Sequence, residues 1–462
     1  MKIVIAGAGA VGSHLAALLS REDQDIILID ENPEKTARLL NSDPDIDIMT
    51  LNVSPTSISG LREGGVHQCD LFIAVTPEET RNITCCMLAH TLGARKTIAR
   101  IDTAEYIMPQ YRDLFRQMGV SSIIYPEGLA AREILDGLKR SWVRQYWEVA
   151  GGTLVMLGIK LREKARITGV ALRDLCDAQT PYRIVAIKRD DDTIIPTGGD
   201  ELRVGDIAYF MTTKRHIRYI REIVGKEDYE EVRNVMIMGG GRTSVHVAKG
   251  KPDSYNIKIV EQSEERCRRL SDILETGDIR IIQGDGRDTA LLLDEGLPDM
   301  HAFCALTPET ETNILACLAA KRMGVRKTVA MVDNMDYVSM AEKLDIGTII
   351  NKKMIAAGRI YQMMLDADAH NVKCLTIASA DVAEIVVQEG SPAGQKPVRE
   401  LRLPPGITLG GYVRGEGQGA LVYGDTQLQG GDRVVVFCKS GLIRQTDRYF
   451  SKKSGGLHLF HG

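Results

Sequence analysis

The chain has 462 residues, 44% hydrophobic and 26% charged, with a formal net charge of −4. That length exceeds what one hydrophobic core organises, so several domains are expected. The acidic balance and an aromatic content of only 5% argue against nucleic acid or anionic lipid as the main partner, and against base-stacking platforms.

Ile3 to Ala6 form a continuous apolar run, which suits a strand buried on both faces. The run leads into Gly7, Ala8, Gly9, Ala10, Val11 and Gly12, and an alanine-rich helical pattern follows. In such a G-x-G-x-x-G turn the first glycine permits the tight turn. The second lets the backbone approach a pyrophosphate, and the third lets helix and strand pack closely. The helix N-terminus offers free N–H groups and partial positive charge to a phosphate. Asp25 to Ile29 reads as a second strand, closed by Asp30. A carboxylate there can accept from both ribose hydroxyls of an adenosine and would repel a 2′-phosphate, which favours NAD over NADP.

Pro33 to Leu40 reads as a helix and Ile46 to Leu51 as a third strand ending at Asn52. Leu71 to Val75 is a fourth strand, ending at Thr76-Pro77-Glu78, and Asn82 to Leu92 a helix stopped by Gly93. Thr97 to Ile101 reads as a fifth strand, Tyr106 to Met118 as a helix and Ser121 to Tyr125 as a sixth strand. This alternation predicts a doubly wound parallel sheet, which binds ligands at the carboxyl ends of its strands. Gly7 to Gly12, Asp30, Asn52, Thr76, Pro77 and Arg100 all fall on that edge. Arg100 suits a phosphate-pairing cation; the plainer alternative is a surface arginine paired with Asp102.

Glu127 to Arg140 is a helical pattern leaving the sheet. Val149 to Ile159, Tyr182 to Lys188 and Asp206 to Thr212 then read as strands of a small α+β module, with turn chemistry over Ile195 to Asp206. This module carries no His/Cys/Asp cluster and no nucleophile–base pair.

The chain then begins again. Asn234 to Met238 is a strand into Gly239, Gly240 and Gly241, and Ile257 to Val260 is a strand closed by Glu261. Ala74 to Tyr106 aligns without a gap to Ala305 to Tyr337: Thr76, Pro77, Glu78, Asn82 and Gly93 recur as Thr307, Pro308, Glu309, Asn313 and Gly324. Leu202, Gly205 and Asp206 recur as Leu428, Gly431 and Asp432. The order is large, small, large, small. The expected fold is therefore two doubly wound, parallel-sheet, Rossmann-like α/β domains (1–142 and 229–368), each followed by a small α+β domain (143–228 and 369–462). The second copy departs from the first. Ser244 stands for the third glycine, Asp285 for Asn52 and Met331 for Arg100, while Arg242 and Thr243 at the helix start offer partial compensation. The second site reads as weaker, as selective for another adenine nucleotide, or as a degenerate pocket kept for packing.

Nine cysteines are scattered without a C-x-x-C pair, and Cys85 adjoins Cys86; they read as reduced, packed thiols rather than a zinc or redox site. The strand pattern at the start leaves no room for a signal peptide, and no stretch of ~18 apolar residues suggests a membrane span.

The GAGAVG turn with Asp30, the TPEETRN and TPETETN segments, IARID at Arg100, the exit helix and the modules ending in GD before a strand resemble the KTN/RCK potassium-transport regulatory family. The resemblance covers essentially the whole chain. It implies RCK N-terminal and C-terminal domains in tandem, large domains that bind NAD(H) and often ATP or ADP, and a homo-oligomer, dimer or tetramer, forming a ring. It further implies a cytoplasmic protein, peripheral at the inner face of the membrane, that docks on a TrkH-like potassium-translocating subunit and gates it by nucleotide occupancy. Carried over, the first site is Gly7 to Val11, Asp30, Asn52, Thr76, Pro77 and Arg100; the second is Gly239, Gly240, Gly241, Arg242, Thr243, Glu261, Asp285, Thr307 and Pro308. Glu127 to Arg140 and Asn351 to Leu365 would be the levers.

Two other classes compete. An NAD-dependent oxidoreductase needs an acid–base group near the nicotinamide, and the one Tyr-x-x-x-Lys, Tyr449 to Lys453, lies in the tail outside either nucleotide fold. A free nucleotide sensor acting on soluble partners or DNA lacks a basic recognition helix.

Overall fold

Strand and helix alternate from the start: β1 (Lys2–Ala6), α1 (Ala10–Ser20), β2 (Asp25–Ile29), α2 (Pro33–Ser42), β3 (Met49–Leu51), α3 (Ile58–Glu63), β4 (Leu71–Ala74), α4 (Glu79–Leu92), β5 (Lys96–Arg100), α5 (Arg112–Gln117), β6 (Ser122–Ile124) and α6 (Pro126–Leu138). The six strands are all parallel, in the order β3-β2-β1-β4-β5-β6. Ile3, Val4, Ile5 and Ala6 are completely buried, as an apolar run in a sheet covered on both faces must be. The order of strand addition reverses between β1 and β4, the switch point at which such sheets open a crevice.

A second sheet follows from β7 (Gln145–Val149), β8 (Leu154–Lys160), β9 (Tyr182–Arg189), β10 (Asp192–Ile194) and β11 (Ile207–Thr213), with short helices α7 (Leu172–Leu175) and α8 (Ile217–Ile223). It is antiparallel, in the order β10-β9-β11-β8-β7. The first pattern then repeats: β12 (Asn234–Met238), α9 (Arg242–Lys249), β13 (Asn256–Glu261), α10 (Glu264–Ile273), β14 (Ile279–Gln283), α11 (Thr289–Asp294), β15 (Ala302–Ala305), α12 (Thr310–Arg322), β16 (Lys327–Met331), α13 (Val338–Lys343), β17 (Thr348–Ile350) and α14 (Lys352–Asp368). Its parallel sheet has the order β14-β13-β12-β15-β16-β17. Last come β18 (Ala380–Val386), α15 (Pro392–Gln395), β19 (Ile407–Arg414), β20 (Gln418–Leu421), β21 (Arg433–Lys439) and α16 (Asp447–Phe450), whose strands pair antiparallel as β18-β21-β19-β20.

This computed structural model describes residues 1–20, 24–42, 46–177, 179–190, 192–274, 277–368, 380–415, 417–439 and 442–452. Lys453 and residues 369–379 lie outside the described residues. The chain divides into two compact units, Met1–Ser141 with Glu230–Met364, and Trp142–Tyr229 with Leu365–Gly462. The first holds both parallel sheets and the second both antiparallel ones.

Within the first unit, α6 does not cover the sheet it leaves. Its Ala130, Ala131, Ile134 and Leu138 pack in one core with Val235, Ile237, Val247 and Val329 of the second parallel-sheet domain. Within the second unit the two antiparallel sheets share a core, in which Met156, Val185 and Met211 meet Val382, Val413 and Phe437. Each sheet also carries the same staple. Arg189 grips Asp206 through Nε and Nη2 at 2.9 and 2.8 Å, and Arg414 grips Asp432 at 2.9 and 2.7 Å. This explains why the Gly-Asp pair recurs: Gly205 and Gly431 turn at φ +98° and +88°, and each aspartate ties that turn to a neighbouring strand.

Three elements differ from expectation. Val149 to Ile159 is not one strand but the hairpin β7–β8, because Ala150, Gly151 and Gly152 all adopt positive φ. Tyr106 to Met118 is not one helix; Pro109 breaks it into 3₁₀ turns at Ala104–Ile107 and Pro109–Tyr111 before α5, since proline lacks an N–H and restrains the residue before it. The third strand is confined to Met49–Leu51.

Candidate functional site

The first glycine turn is built by backbone geometry. Gly7 sits at φ +110° and hands its N–H to the Ile29 carbonyl at 2.8 Å. A Cβ on Gly12 would lie 1.8 Å from the Gly7 carbonyl oxygen, whereas one on Gly9 would meet nothing within 4 Å. Gly12 is thus a packing requirement, and Gly9 faces open space at the start of α1. Asp30, at the end of β2, is buried. One of its oxygens accepts the Ala8 N–H at 2.7 Å and the other the Asn32 N–H at 2.9 Å, with Lys35 at 3.6 Å. Each carboxylate oxygen keeps a second lone pair, so the acid anchors the turn and still has acceptor capacity. Ala8 and Val11 are buried, while Ala10 is exposed.

At the end of β4, Thr76 lies against the turn, its backbone nitrogen 3.0 Å from where a Gly7 Cβ would project. Asn82, fully buried on α4, clamps this corner. Its Oδ1 accepts from the Thr76 N–H (2.8 Å) and hydroxyl (2.7 Å), and its Nδ2 donates to the Thr76 and Arg100 carbonyls, both at 2.9 Å. Arg100 therefore sits at a fixed height beside β4. Its Nη1 donates to the Thr76 and Pro77 carbonyls at 3.3 and 3.4 Å, and its Nη2 pairs with Asp102 at 2.8 Å. The Asp102 pairing is present, on the ligand edge of the sheet. Asn52 stands further out, accepting the Thr36 hydroxyl at 2.8 Å.

The second copy reproduces the frame with altered chemistry. Gly239 sits at φ +98° and Gly241 opens on empty space. Glu261 repeats the anchor: Oε2 accepts the Gly240 N–H and Oε1 the Ser263 N–H, both at 2.8 Å. Asn313 repeats the clamp on Thr307 and the Met331 carbonyl. Ser244 carries a Cβ where Gly12 has none and converts the close approach into a hydrogen bond, its hydroxyl donating to the Gly239 carbonyl at 2.6 Å. Thr243 and Met331 are buried. Asp285 is committed to Arg287, which reaches it through Nε at 3.0 and 3.1 Å and Nη2 at 2.7 Å. That guanidinium and the Arg287 backbone N–H hold the Asp285 carboxyl below its ordinary range. Pro308 follows Thr307 at the end of β15, as Pro77 follows Thr76.

Several contacts at these edges had no signal in local sequence. Arg81 on α4 pairs with Glu31 through two bonds at 2.8 and 2.6 Å, joining the ends of β2 and α4; the arginine holds the Glu31 carboxyl below its usual range. Glu79 accepts the Asp102 and Thr103 N–H groups, each at 2.8 Å, and the Thr103 hydroxyl at 2.6 Å. Burial opposes its ionisation, but these bonds and the nearby Arg242 outweigh it and leave its carboxyl below the ordinary value. Arg242, first residue of α9, donates to the Asp102 carbonyl at 2.7 Å. The clamping role of Asn82 and Asn313 was readable in principle, since both recur in the repeat. A cleft of about 970 Å³ lined by α5, β6, α6 and α9 contains none of the expected site residues. Among the described residues no helix is long and apolar enough to cross a membrane, and no group of three or more His, Cys, Asp or Glu is arranged to hold a metal.

The fold is that of a tandem Rossmann-like protein, with two parallel-sheet domains and two antiparallel-sheet domains. The chain superposes on the crystal structure of the GsuK RCK domain with a TM-score of 0.58 at 16% identity, covering 97% of this chain and 94% of that one. On the GsuK channel bound to NAD the TM-score is 0.58 at 15% identity, covering 97% and 78%. The chain belongs to the TrkA-N domain family, matched over residues 3–126 and 235–352, with TrkA-C domains at 156–225 and 382–451. Similar curated proteins carry the name Trk system potassium uptake protein TrkA. That of Halomonas elongata is 29% identical over 459 residues, 97% of this chain and 98% of the relative. That of Azorhizobium caulinodans is 28% identical over 458 residues, again 97% and 98%.

Proposed function

We propose that the chain is a cytosolic regulatory subunit of a Trk-type potassium uptake system, which binds NAD(H) and ATP or ADP as signals and acts on a TrkH-like membrane subunit as a ring-forming homo-oligomer. The observation that carries the reading is the duplicated turn. Twice, a glycine turn at the switch point is tied to an acid at the end of the neighbouring strand, in a chain whose relatives over 97% of its length are named as potassium uptake proteins. The residues fit a nucleotide: Gly9 and Gly241 leave open space at a helix start, and Asp30 and Glu261 retain acceptor capacity for ribose hydroxyls. In the first pocket Gly7 to Gly12 would face the phosphates, with Arg100 as cation and Asn52, Thr76 and Pro77 as walls. In the second, Gly239 to Thr243, Glu261, Asp285, Thr307 and Pro308 would play these parts. Division into domains at 1–142, 143–228, 229–368 and 369–462 belongs to the same reading, as does a regulatory rather than catalytic role.

A ligand gates only through a difference in its affinity for two conformations. The test has two arms. Titration of NADH and of ATP into the full chain and into Gly9→Leu and Gly241→Leu, which fill one open turn each, should show each variant losing one pocket. Potassium flux through a co-reconstituted TrkH-like subunit should then follow occupancy. Absence of binding to the parent chain, or flux indifferent to nucleotide, overturns the reading.

A further inference from the structure

We propose that the two glycine-turn pockets are negatively coupled, because Arg242 is at once the cation of the second turn and a tether on the edge of the first. The inference rests on the nucleotide reading above and adds a regulation to it. Arg242 occupies the position that Ala10 holds in the first copy. It is exposed at the first position of α9, and with Met331 in place of Arg100 it is the cation carried by the second turn itself. Yet its Nη1 donates to the Asp102 carbonyl at 2.7 Å. The Asp102 carboxylate in turn pairs with Arg100, the first pocket's candidate phosphate cation, at 2.8 Å. The backbone N–H groups of Asp102 and Thr103 are held by Glu79. Two cations, Arg100 and Arg242, therefore balance two carboxylates, Asp102 and Glu79, around one short loop.

The consequence follows from charge. A phosphate in the first pocket that draws Arg100 away leaves Asp102 and Glu79 with Arg242. A phosphate in the second pocket that draws Arg242 away leaves them with Arg100. Filling both removes both cations from beside Asp102 and Glu79, leaving Asp102 without its arginine and Glu79 with only the N–H and hydroxyl groups of the loop, so the doubly occupied state is penalised more than either singly occupied state. The penalty is shared equally by the two ligands, since coupling between binding sites is reciprocal.

Calorimetric titration of ADP into the full chain tests this, with Gly9→Leu and Gly241→Leu as single-pocket references and Asp102→Asn to remove the shared carboxylate. The expected result is a second ADP bound about fivefold or more weakly than either single-pocket variant binds its one, within the usual range of coupling, and a gap that closes in Asp102→Asn. One ADP per parent chain, with binding retained in both variants, supports the same conclusion. Equal independent sites, tighter binding of the second ADP, complete loss of binding in only one variant, or a gap that survives Asp102→Asn each overturn the coupling and leave nucleotide binding standing. No ADP bound by the parent or either variant removes the nucleotide reading and the coupling with it.

Discussion

Gly12→Ala tests how the first turn is built. The added Cβ would stand 1.8 Å from the Gly7 carbonyl oxygen and 3.3 Å from a Val75 methyl. Ordinary contact begins at 3.4 Å, so turn or helix must yield by about 1.6 Å in an interior packed as densely as an organic crystal. Neither yields freely: Gly7 is fixed by its bond to Ile29, and Leu15, Ala16 and Leu19 of α1 are completely buried. Overpacking of this kind costs about 1–3 kcal/mol. The expected outcome is a first thermal transition lowered by about 2–4 °C per kcal/mol. ADP affinity of the first pocket should fall about tenfold or more, because the displaced turn no longer presents its N–H groups in register. Scanning calorimetry and ADP titration in the Gly241→Leu background read both effects. Ser244→Gly is the control; it removes a hydrogen bond worth about 0.5–1.5 kcal/mol and leaves the first pocket's affinity alone. A Gly12→Ala protein that melts and binds like its parent would refute the close approach assigned to this glycine.

Arg100→Ala should weaken a phosphate-bearing ligand by about 1–3 kcal/mol, the scale of a charged hydrogen bond; titration showing unchanged affinity removes Arg100 from the pocket. Asn82→Ala leaves the Thr76 N–H and two carbonyls without their partner, at a cost of about 1–3 kcal/mol, and amide exchange at Thr76 should accelerate; protection equal to the parent's would show that the corner does not need its clamp. The Asp285 carboxyl, held low by Arg287, contributes stability above its ordinary value of 3.8 and loses it as pH falls through the lower folded value; Arg287→Ala should raise that midpoint in a carboxyl NMR titration, and an unmoved midpoint contradicts the pairing. Burial pushes the Cys85 thiol up to about 12 and raises Cys86 as well, so iodoacetamide at pH 8 should leave both unmodified in the folded protein, and rapid labelling would mean that α4 lifts from its sheet.

Much of this fold was written in local pattern. β1, β2, β4 and β5 lie within a residue of their expected limits, because strands covered on both faces announce themselves as unbroken apolar runs between turn residues. The glycine turn was legible for the same reason: three glycines and an acid at fixed offsets leave few alternatives. Elements failed where a local conformation outweighed apolar content. The Ala150–Gly152 corner splits an apolar stretch into a hairpin, and Pro109 interrupts a pattern that otherwise reads as helical. The site was less legible than the frame. Arg81–Glu31, Glu79–Asp102 and Arg242–Asp102 each join segments distant in the chain, and their partners are chosen by packing that no local window contains. Ser244 shows the converse: the substitution was visible, but its hydrogen bond to the Gly239 carbonyl is disclosed only in three dimensions.

The placement of α6 carries a consequence for how such a chain can be divided. Because this helix completes the core of the other parallel-sheet domain, a fragment ending at residue 142 would carry Ala130, Ala131, Ile134 and Leu138 as a bare apolar stripe, and the remaining chain would lack the cover for Val235, Ile237 and Val329. Half of this molecule is not a smaller version of it.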